Sequence, residues 1–426
     1  MSQQSIDKTV QANFRWNFNV NILDITFITL GLSLISRETV MPVLVSSLTD
    51  SKLAIGLIPA VFSLGFYLPQ LLTANFTERL TYKKPFVMLV GSVGERLPYL
   101  IIALTIWAFA LTAPTLTLTV FYFGVGIAAF SAGIATPAWF DMIAKVIPVQ
   151  RRGVWSGLGH GLGALMGIVG AYFVGRILET YIFPNNFALL FALAFVAVAI
   201  SWVGLALNCE PPSKMIKEHT TTGQYFSRLP AIIRSNDNYA HFLISRTVIQ
   251  LGAMATGFFM VFGTETFGIT GAGVGFLTGV LIASTAVMNL VWGVIGDRLG
   301  HKLVLAGAAF TMSAAALMAL LATSQSWLVA AFILLGAYLA ADQVSGLNII
   351  LEFCKEEDRP TYIGLTNTLL APILITAPLI GGLLATWAGY SGLFIAAALI
   401  AGIGGLMLTF WVHEPRGRME GEEAGA

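Results

Sequence analysis

Long apolar stretches alternate with short polar connections along nearly the whole chain. An α-helix needs about 20 mostly apolar residues to cross the hydrocarbon of a membrane, because it rises about 1.5 Å per residue. Twelve stretches meet this requirement, near 20–47, 53–76, 86–108, 115–141, 153–177, 187–208, 241–265, 273–296, 302–323, 327–353, 361–387 and 390–412. The pattern therefore predicts an all-α membrane protein with twelve transmembrane helices.

The composition supports a lipid environment. Of the 426 residues, 56% are hydrophobic and 11% are charged, whereas soluble domains carry roughly 25% charged residues. Too little polar surface is present to coat soluble cores, so we expect the bilayer to be the main partner. We expect no nucleic-acid partner and a monomer. The two cysteines, Cys209 and Cys354, show no disulfide or metal spacing and are predicted to be reduced thiols.

The basic residues indicate the orientation. Eighteen of the 23 Lys and Arg residues lie at the N-terminus, in the connections after even-numbered spans or in the tail, whereas four lie within spans and the opposite loops contain Lys52 alone. Because Lys and Arg favour the cytoplasmic side, both termini are predicted to be cytoplasmic in the inner membrane. The polar first twenty residues lack the features of a cleaved signal, so the first span is expected to be retained.

The two halves of the chain resemble each other. Residues 74–83 after span 2 align with residues 293–302 after span 8, and Cys209-Glu210-Pro211 after span 6 matches His413-Glu414-Pro415 after span 12. A long basic connection separates the halves. We therefore predict an N-terminal six-helix bundle at 1–209, a linker at 210–240, a C-terminal six-helix bundle at 241–413 and a tail at 414–426. Repeated halves are typical of secondary carriers.

The loops at the cytoplasmic helix ends carry a family pattern. The connection after span 8 contains Gly293, Asp297, Arg298 and Gly300, and the connection after span 2 holds a degenerate copy. The loop at 144–153, with its Pro and Arg-Gly, fits the same family. Together with the six-plus-six division, these segments make the chain resemble the major facilitator superfamily. The resemblance implies two pseudo-symmetric six-helix bundles that transport a small molecule by alternating access.

The resemblance and the placement of the loop charges imply a cytoplasmic gate. Arginines at these helix ends lie within reach of acids on neighbouring helices, and such pairs can close one face of a carrier and break in the other state. The candidates are Glu78, Arg79, Asp141, Arg152, Asp297, Arg298, Glu352 and Arg359. The alternative is that they are ordinary interfacial charges that follow the topology.

Charged side chains inside the spans form a second set of candidates, because they are costly at bilayer depth and usually face the protein interior. Span 1 carries Asp24, Arg37 and Glu38, and span 3 carries Glu95 and Arg96. On one continuous helix, Asp24 and Glu38 would share a stripe. A carboxyl group in a low-dielectric cavity binds protons more tightly, so Asp24 or Glu38 is a candidate proton carrier. The alternative is a structural ion-pair cluster of Arg37, Glu38, Glu95 and Arg96.

Later spans add polar candidates. Arg246 and Gln250, four residues apart in span 7, are predicted to bind an anionic substrate group or to pair with an acid on a neighbouring helix. Asp342 and Gln343 make span 10 the most polar of the late spans and are expected to line a cavity.

The motif inventory favours a secondary transporter. The sequence contains no nucleotide-binding Gly-x-x-x-x-Gly-Lys-[Ser/Thr] pattern and no metalloprotease or serine-hydrolase motif, so we expect no cofactor, no metal and no enzymatic activity. Proton-coupled efflux is the preferred hypothesis. A non-transporting sensor and a membrane-embedded enzyme stay as alternatives, and the sequence leaves the substrate open.

Overall fold

The computed structural model describes residues 3–77, 80–213, 236–354 and 359–415, which fold into helices joined by short turns and connections. Each helix carries the number of the predicted span to which it corresponds. The first half contains α1a (Gln3–Leu34), α1b (Val40–Leu48), α2 (Lys52–Thr77), α3a (Lys84–Val90), a π-helical turn (Gly91–Arg96), α3b (Leu97–Phe109), α4 (Pro114–Val146), α5 (Val149–Thr180) and α6 (Asn185–Ala206). The second half contains α7a (Asp237–Gly252), α7b (Phe259–Phe267), α8 (Gly271–Leu299), α9 (His301–Leu320), α10a (Gln325–Ser345), α10b (Asn348–Leu351) and the run Arg359–Phe410, which comprises α11 and α12.

Eleven stretches within the described residues are long and apolar enough to cross a membrane. The last, Tyr362–Phe410, is 49 residues long and contains both predicted spans 11 and 12. At Gly389, the φ angle of 67° breaks this run into two helices, a left-handed conformation that glycine adopts without steric cost. The predicted all-helical multi-pass fold is therefore confirmed, and the eleventh stretch accounts for two of the twelve predicted spans.

Spans 1 and 7 are broken at corresponding places. After Leu34 the chain makes a turn in which the carbonyl oxygen of Ser36 accepts bonds from the backbone N–H groups of Val40 and Met41, both at 2.9 Å. Span 7 passes through a 3₁₀ turn at Ala253–Ala255 before it resumes. Helices α1b and α7b each contain nine residues. Interrupted helices in corresponding positions are a structural sign of a repeated transporter fold.

The chain divides into two compact units. The first comprises residues 1–50, 61–219 and 270–279, and the second comprises 51–60, 220–269 and 280–426. Within the first unit, α1a packs against α5 and α6. Within the second unit, α7a packs against the run that contains α11 and α12, and α9 packs against the same run and α10a. The division runs through the predicted linker, and ten-residue segments of α2 and α8 group with the opposite half.

A clamp of Asn17, Cys209 and Glu210 joins α1a and the start of α3a to the segment that follows α6. The Asn17 side chain donates to the Cys209 carbonyl at 3.1 Å and accepts from the Cys209 backbone N–H at 2.8 Å. The Glu210 carboxylate accepts from the backbone N–H groups of Lys83 and Lys84, both at 2.8 Å, at the start of α3a. It also pairs with Lys145 at 2.8 Å. Because a helix N-terminus favours negative charge, Glu210 both caps α3a and neutralises a nearby ammonium group.

The second unit repeats this clamp with Asn238, His413 and Glu414. Asn238 donates to the His413 carbonyl at 2.9 Å and accepts from its N–H at 2.7 Å. The Glu414 carboxylate packs on Gly300, the residue before α9, so closely that a Cβ at Gly300 would lie 2.7 Å from it. Gly300 also has φ 95°, which favours glycine. The clamps show that the sequence repeat is also a structural repeat.

Candidate functional site: two polar clusters inside the spans

The first polar cluster, here called the N-terminal cluster, comprises Asp24, Glu95, Arg96, Trp139 and Ser201. Asp24 is 3% exposed. The Ser201 hydroxyl donates to Asp24 Oδ1 at 2.5 Å, and the Trp139 indole N–H donates to Oδ2 at 3.4 Å. The Arg96 guanidinium donates to Ser201 Oγ at 3.4 Å and to Glu95 at 2.7 Å. One connected network thus joins α1a, the π-helical turn, α4 and α6.

The π-helical turn positions Arg96. This turn frees backbone carbonyls from regular helical pairing and is often found at functional sites. The Arg96 guanidinium uses one of them, donating to the Gly91 carbonyl at 2.8 Å, and it donates to the Val198 carbonyl of α6 at 3.0 Å. Gly94 lets the turn approach α4, since a Cβ there would lie 1.9 Å from Ser131 Oγ. Arg96 is therefore buried with both charged and neutral acceptors.

The internal repeat provides a comparison for this cluster. Counted forward from the clamp residues Asn17 and Asn238, the position that corresponds to Asp24 is Ser245. Counted back from Cys209 and His413, the position that corresponds to Ser201 is Gly405. In the 74–83 and 293–302 alignment, the counterparts of Glu95 and Arg96 are Ala314 and Ala315. The same bundle architecture therefore packs with small side chains at these positions. Charged residues at these particular positions are therefore not required to build a bundle of this architecture.

The predicted stripe that joins Asp24 to Glu38 is wrong, because the helix ends between them. Asp24 lies on α1a, and Glu38 lies in the turn that follows Leu34. On the same face as Asp24, Gly31 meets α6, where a Cβ would lie 2.7 Å from Val198 Cγ1. Asp24 and Gly31 therefore both face α6 and are buried against it.

The charges of the span 1 turn pair locally. Arg37 Nε donates to Glu38 Oε1 at 2.5 Å, and the Ser36 hydroxyl donates to Glu38 Oε2 at 3.3 Å. The Arg37 guanidinium carbon lies 4.7 Å from the centroid of the Phe62 ring, within the range of a cation–π contact. Within the predicted ion-pair cluster of four residues, the structure therefore joins Arg37 to Glu38 and Arg96 to Glu95, as two separate pairs.

The second polar cluster, here called the C-terminal cluster, comprises Arg246, Gln250, Tyr338, Asp342 and Gln343. Arg246 forms a salt bridge with Asp342 between α7a and α10a. The Tyr338 hydroxyl donates to Gln250 Oε1 at 3.1 Å. Gln343 accepts from Asn289 of α8 at 3.2 Å. The predicted polar patch of span 7 therefore meets the polar residues of span 10, and the pairing with an acid, one of the two predicted roles of Arg246, is confirmed.

The structure places only part of the predicted gate. Glu78 and Arg79 lie outside the described residues, as does the side chain of Arg359. Asp141 accepts a salt bridge from the buried Lys83 ammonium group at 3.3 Å.

The other gate candidates occupy helix ends. Arg152 donates to the carbonyls of Ile147 at 3.1 Å and Ala144 at 2.5 Å, so it caps the end of α4. Asp297 and Arg298 are exposed in the last turn of α8, and Glu352 follows α10b. The gate as a whole stays a prediction.

The sequence does not predict which side chains form the hydrogen bonds of the N-terminal cluster and of the first clamp. Ser201 and Trp139 are the hydrogen-bond donors to Asp24, and Asn17 and Glu210 form the first clamp. The repeat was the available signal for the clamp, because the Glu-Pro pair recurs after spans 6 and 12. No comparable signal marks Ser201, since a single serine in an apolar span has no distinctive pattern.

Taken together, these features define a polytopic helical membrane protein of two repeated units, each with a polar cluster inside its spans. Residues 242–425 match the model of the Major Facilitator Superfamily. The second half of the chain therefore matches the family that the loop motifs resemble.

Solved structures share the fold over almost the whole chain. A D-xylose-proton symporter superposes with a TM-score of 0.70 and 14% identity over 95% of this chain and 99% of that one. The nucleoside transporter NupG superposes with a TM-score of 0.68 and 11% identity over 92% of this chain and 98% of that one.

A curated relative is similar to part of the chain. The multi-drug resistance efflux pump PmrA homolog of Lactococcus lactis subsp. lactis (strain IL1403) is 23% identical over 155 residues. The match spans 35% of this chain and 38% of the relative.

Proposed function

We propose that this protein is a secondary active transporter that moves a small solute across the cytoplasmic membrane by alternating access, with both termini in the cytoplasm. Export coupled to proton entry is the proposed mode. The family and fold support a carrier rather than an enzyme. The partial similarity to a multi-drug efflux pump favours export, and the distribution of Lys and Arg supports the orientation.

The buried carboxyl group of Asp24 carries the proposal of proton coupling. Its two hydrogen-bond donors, Ser201 and Trp139, are neutral, so among the described residues the carboxyl group has no salt-bridge partner at hydrogen-bond distance. Ser201 Oγ donates to the ionised carboxylate, and the same oxygen can accept from a protonated one. The hydrogen bond can thus persist in both protonation states with its direction reversed. The small residues at the corresponding positions of the second unit support a role in transport.

In the proposed cycle, the protein alternates between states that open Asp24 to one side of the membrane and then to the other. Asp24 binds a proton from the outer side and releases it on the cytoplasmic side, and solute leaves the cell in the opposite direction. The Arg96–Glu95 pair holds the π-helical turn against α6 and keeps Ser201 in place, so it acts as a positioning pair.

The test is the internal pH of proteoliposomes that contain the purified protein. A pH-sensitive dye inside the vesicles reports proton movement when drugs, sugars and organic acids are added in turn. Asp24→Asn keeps the shape of the side chain and removes its titration. Asp50→Asn, which changes an exposed carboxyl group in the connection after α1b, is the matched control.

A substrate-dependent proton flux that Asp24→Asn abolishes and Asp50→Asn retains would support the proposal. Solute movement without proton flux would contradict the coupling and leave a uniporter. Binding of a compound with no movement of any solute would contradict transport itself.

A further inference from the structure

The C-terminal cluster has an asymmetry of exposure that bears on the substrate. The Arg246 side chain is 5% exposed, whereas that of its partner Asp342 is 37% exposed. A solute that approaches this ion pair therefore meets the carboxylate first. An anion would have to reach the guanidinium behind it, whereas a cation can approach the exposed carboxylate directly.

The end of α10a makes the same place electronegative. Asp342 lies in the last turn of α10a, where backbone carbonyls point out of the helix and carry partial negative charge. The helix is interrupted after Ser345, and the next residue, Gly346, lies beside both members of the pair: a Cβ there would lie 2.5 Å from the Asp342 carbonyl oxygen and 3.4 Å from a guanidinium nitrogen of Arg246. The positively charged guanidinium of Arg246 therefore lies against a carboxylate at a helix C-terminus.

Neutral polar groups extend the cluster beyond the ion pair. Gln343 is exposed next to Asp342 and is bonded to Asn289, and Tyr338 is bonded to Gln250. Arg152 follows span 4 and Arg359 follows span 10, so the repeat places them in equivalent positions. Counted back from these two arginines, the first-unit counterparts of Asp342 and Gln343 are Ala135 and Thr136. The carboxylate is therefore particular to the second unit.

We propose that Asp342 binds the positively charged group of an organic cation, and that this cation competes with Arg246 for the carboxylate. The inference rests on the proposed function, because it assigns the substrate class of the same carrier. Gln343 and Asn289 supply hydrogen bonds beside the charge. Arg246 keeps Asp342 compensated when the substrate leaves, so the site does not expose an isolated charge inside the membrane.

Binding of two dyes with related ring systems tests the charge preference. Rhodamine 6G is a cation and fluorescein is an anion at neutral pH, and fluorescence anisotropy measures the binding of each to the full-length protein in detergent. We expect rhodamine 6G to bind and fluorescein to bind at least tenfold more weakly. Asp342→Asn is expected to weaken rhodamine 6G binding by about ten- to a hundredfold, the effect of losing a charge-assisted interaction.

Further variants separate a binding role from a folding role. Arg246→Met removes the competing cation, so rhodamine 6G is expected to bind more tightly than to the unchanged protein. The neutral pair Arg246→Met with Asp342→Asn leaves no uncompensated charge and is expected to fold without binding the cation. Asp50→Asn is the control for loss of one negative charge elsewhere.

Equal binding of both dyes, or unchanged rhodamine 6G binding in Asp342→Asn, would overturn the cation site. Weaker cation binding in Arg246→Met would also overturn it, because the arginine would then assist binding. Failure of the proposed function would look different: rhodamine 6G would bind in an Asp342-dependent way, but proteoliposomes would move neither the dye nor protons. Proton-coupled movement of sugars or acids without cation binding would refute the cation site and leave the transporter intact.

Discussion

The Glu95–Arg96 pair gives a quantitative test of how the N-terminal cluster contributes to stability. We consider the changes Arg96→Met and Glu95→Gln, alone and together. Methionine is long enough to occupy much of the space of the arginine stem. It cannot donate the bonds that Arg96 makes to Glu95 at 2.7 Å, to the Gly91 carbonyl at 2.8 Å and to the Val198 carbonyl at 3.0 Å.

The expected magnitude follows from the burial of the pair. Removing one partner of a buried ion pair costs about 3–5 kcal/mol, because the other charge is left uncompensated. Arg96→Met alone should therefore lower the free energy of unfolding by about 3–5 kcal/mol. Adding Glu95→Gln removes the stranded carboxylate, so the double variant should be more stable than Arg96→Met by about 1–2 kcal/mol.

The assay is reversible unfolding of the four proteins in mixed micelles by titration with sodium dodecyl sulfate, followed by circular dichroism. Each curve gives a free energy of unfolding, and the four values form a double-mutant cycle. If the two single changes add within about 0.5 kcal/mol, Glu95 and Arg96 are not an energetic unit. The reasoning from their contact distance would then be refuted.

Three further outcomes are expected. Glu210→Gln should lower the free energy of unfolding by about 2 kcal/mol in the same titration, because it weakens the cap of α3a and removes the charge that faces Lys145; an unchanged midpoint would show that the first clamp adds no stability. Gly252→Leu should abolish the monodisperse peak in size-exclusion chromatography, since a Cβ there would lie 2.5 Å from the backbone nitrogen of Ala401. Gly153→Leu is its control, with no atom within 4 Å of the added Cβ, and equal behaviour of the two variants would contradict the packing argument. A membrane-impermeant maleimide should label the exposed Cys209 in inside-out vesicles and not in right-side-out ones, and the reverse result would overturn the proposed orientation.

The location of the spans could be predicted from the sequence because length and apolarity are local properties. The breaks within spans 1, 7 and 10 could not. Around Ala253–Ala255 the chain is as apolar as a regular helix, so hydropathy does not distinguish the 3₁₀ turn from the helix on either side. The predicted stripe from Asp24 to Glu38 fails for the same reason. It requires one continuous helix, and hydropathy does not reveal the turn that follows Leu34.

The candidate site was predictable in its charged members and not in their partners. Charged residues stand out against an apolar span, so Asp24, Arg96, Arg246 and Asp342 could be named from the sequence. Which side chain each one meets depends on the rotation of helices about their axes. Asp141 illustrates this, since an arginine was expected nearby and the structure provides Lys83.

The two clamps also explain how a repeat can persist while its residues diverge. Asn17 and Asn238 each recognise the backbone N–H and C=O of one residue, and every residue except proline offers both groups. The side chain at that position is therefore left unspecified, and it is a cysteine in one half and a histidine in the other. At such positions sequence comparison loses the relationship between the halves, whereas the hydrogen-bond pattern keeps it.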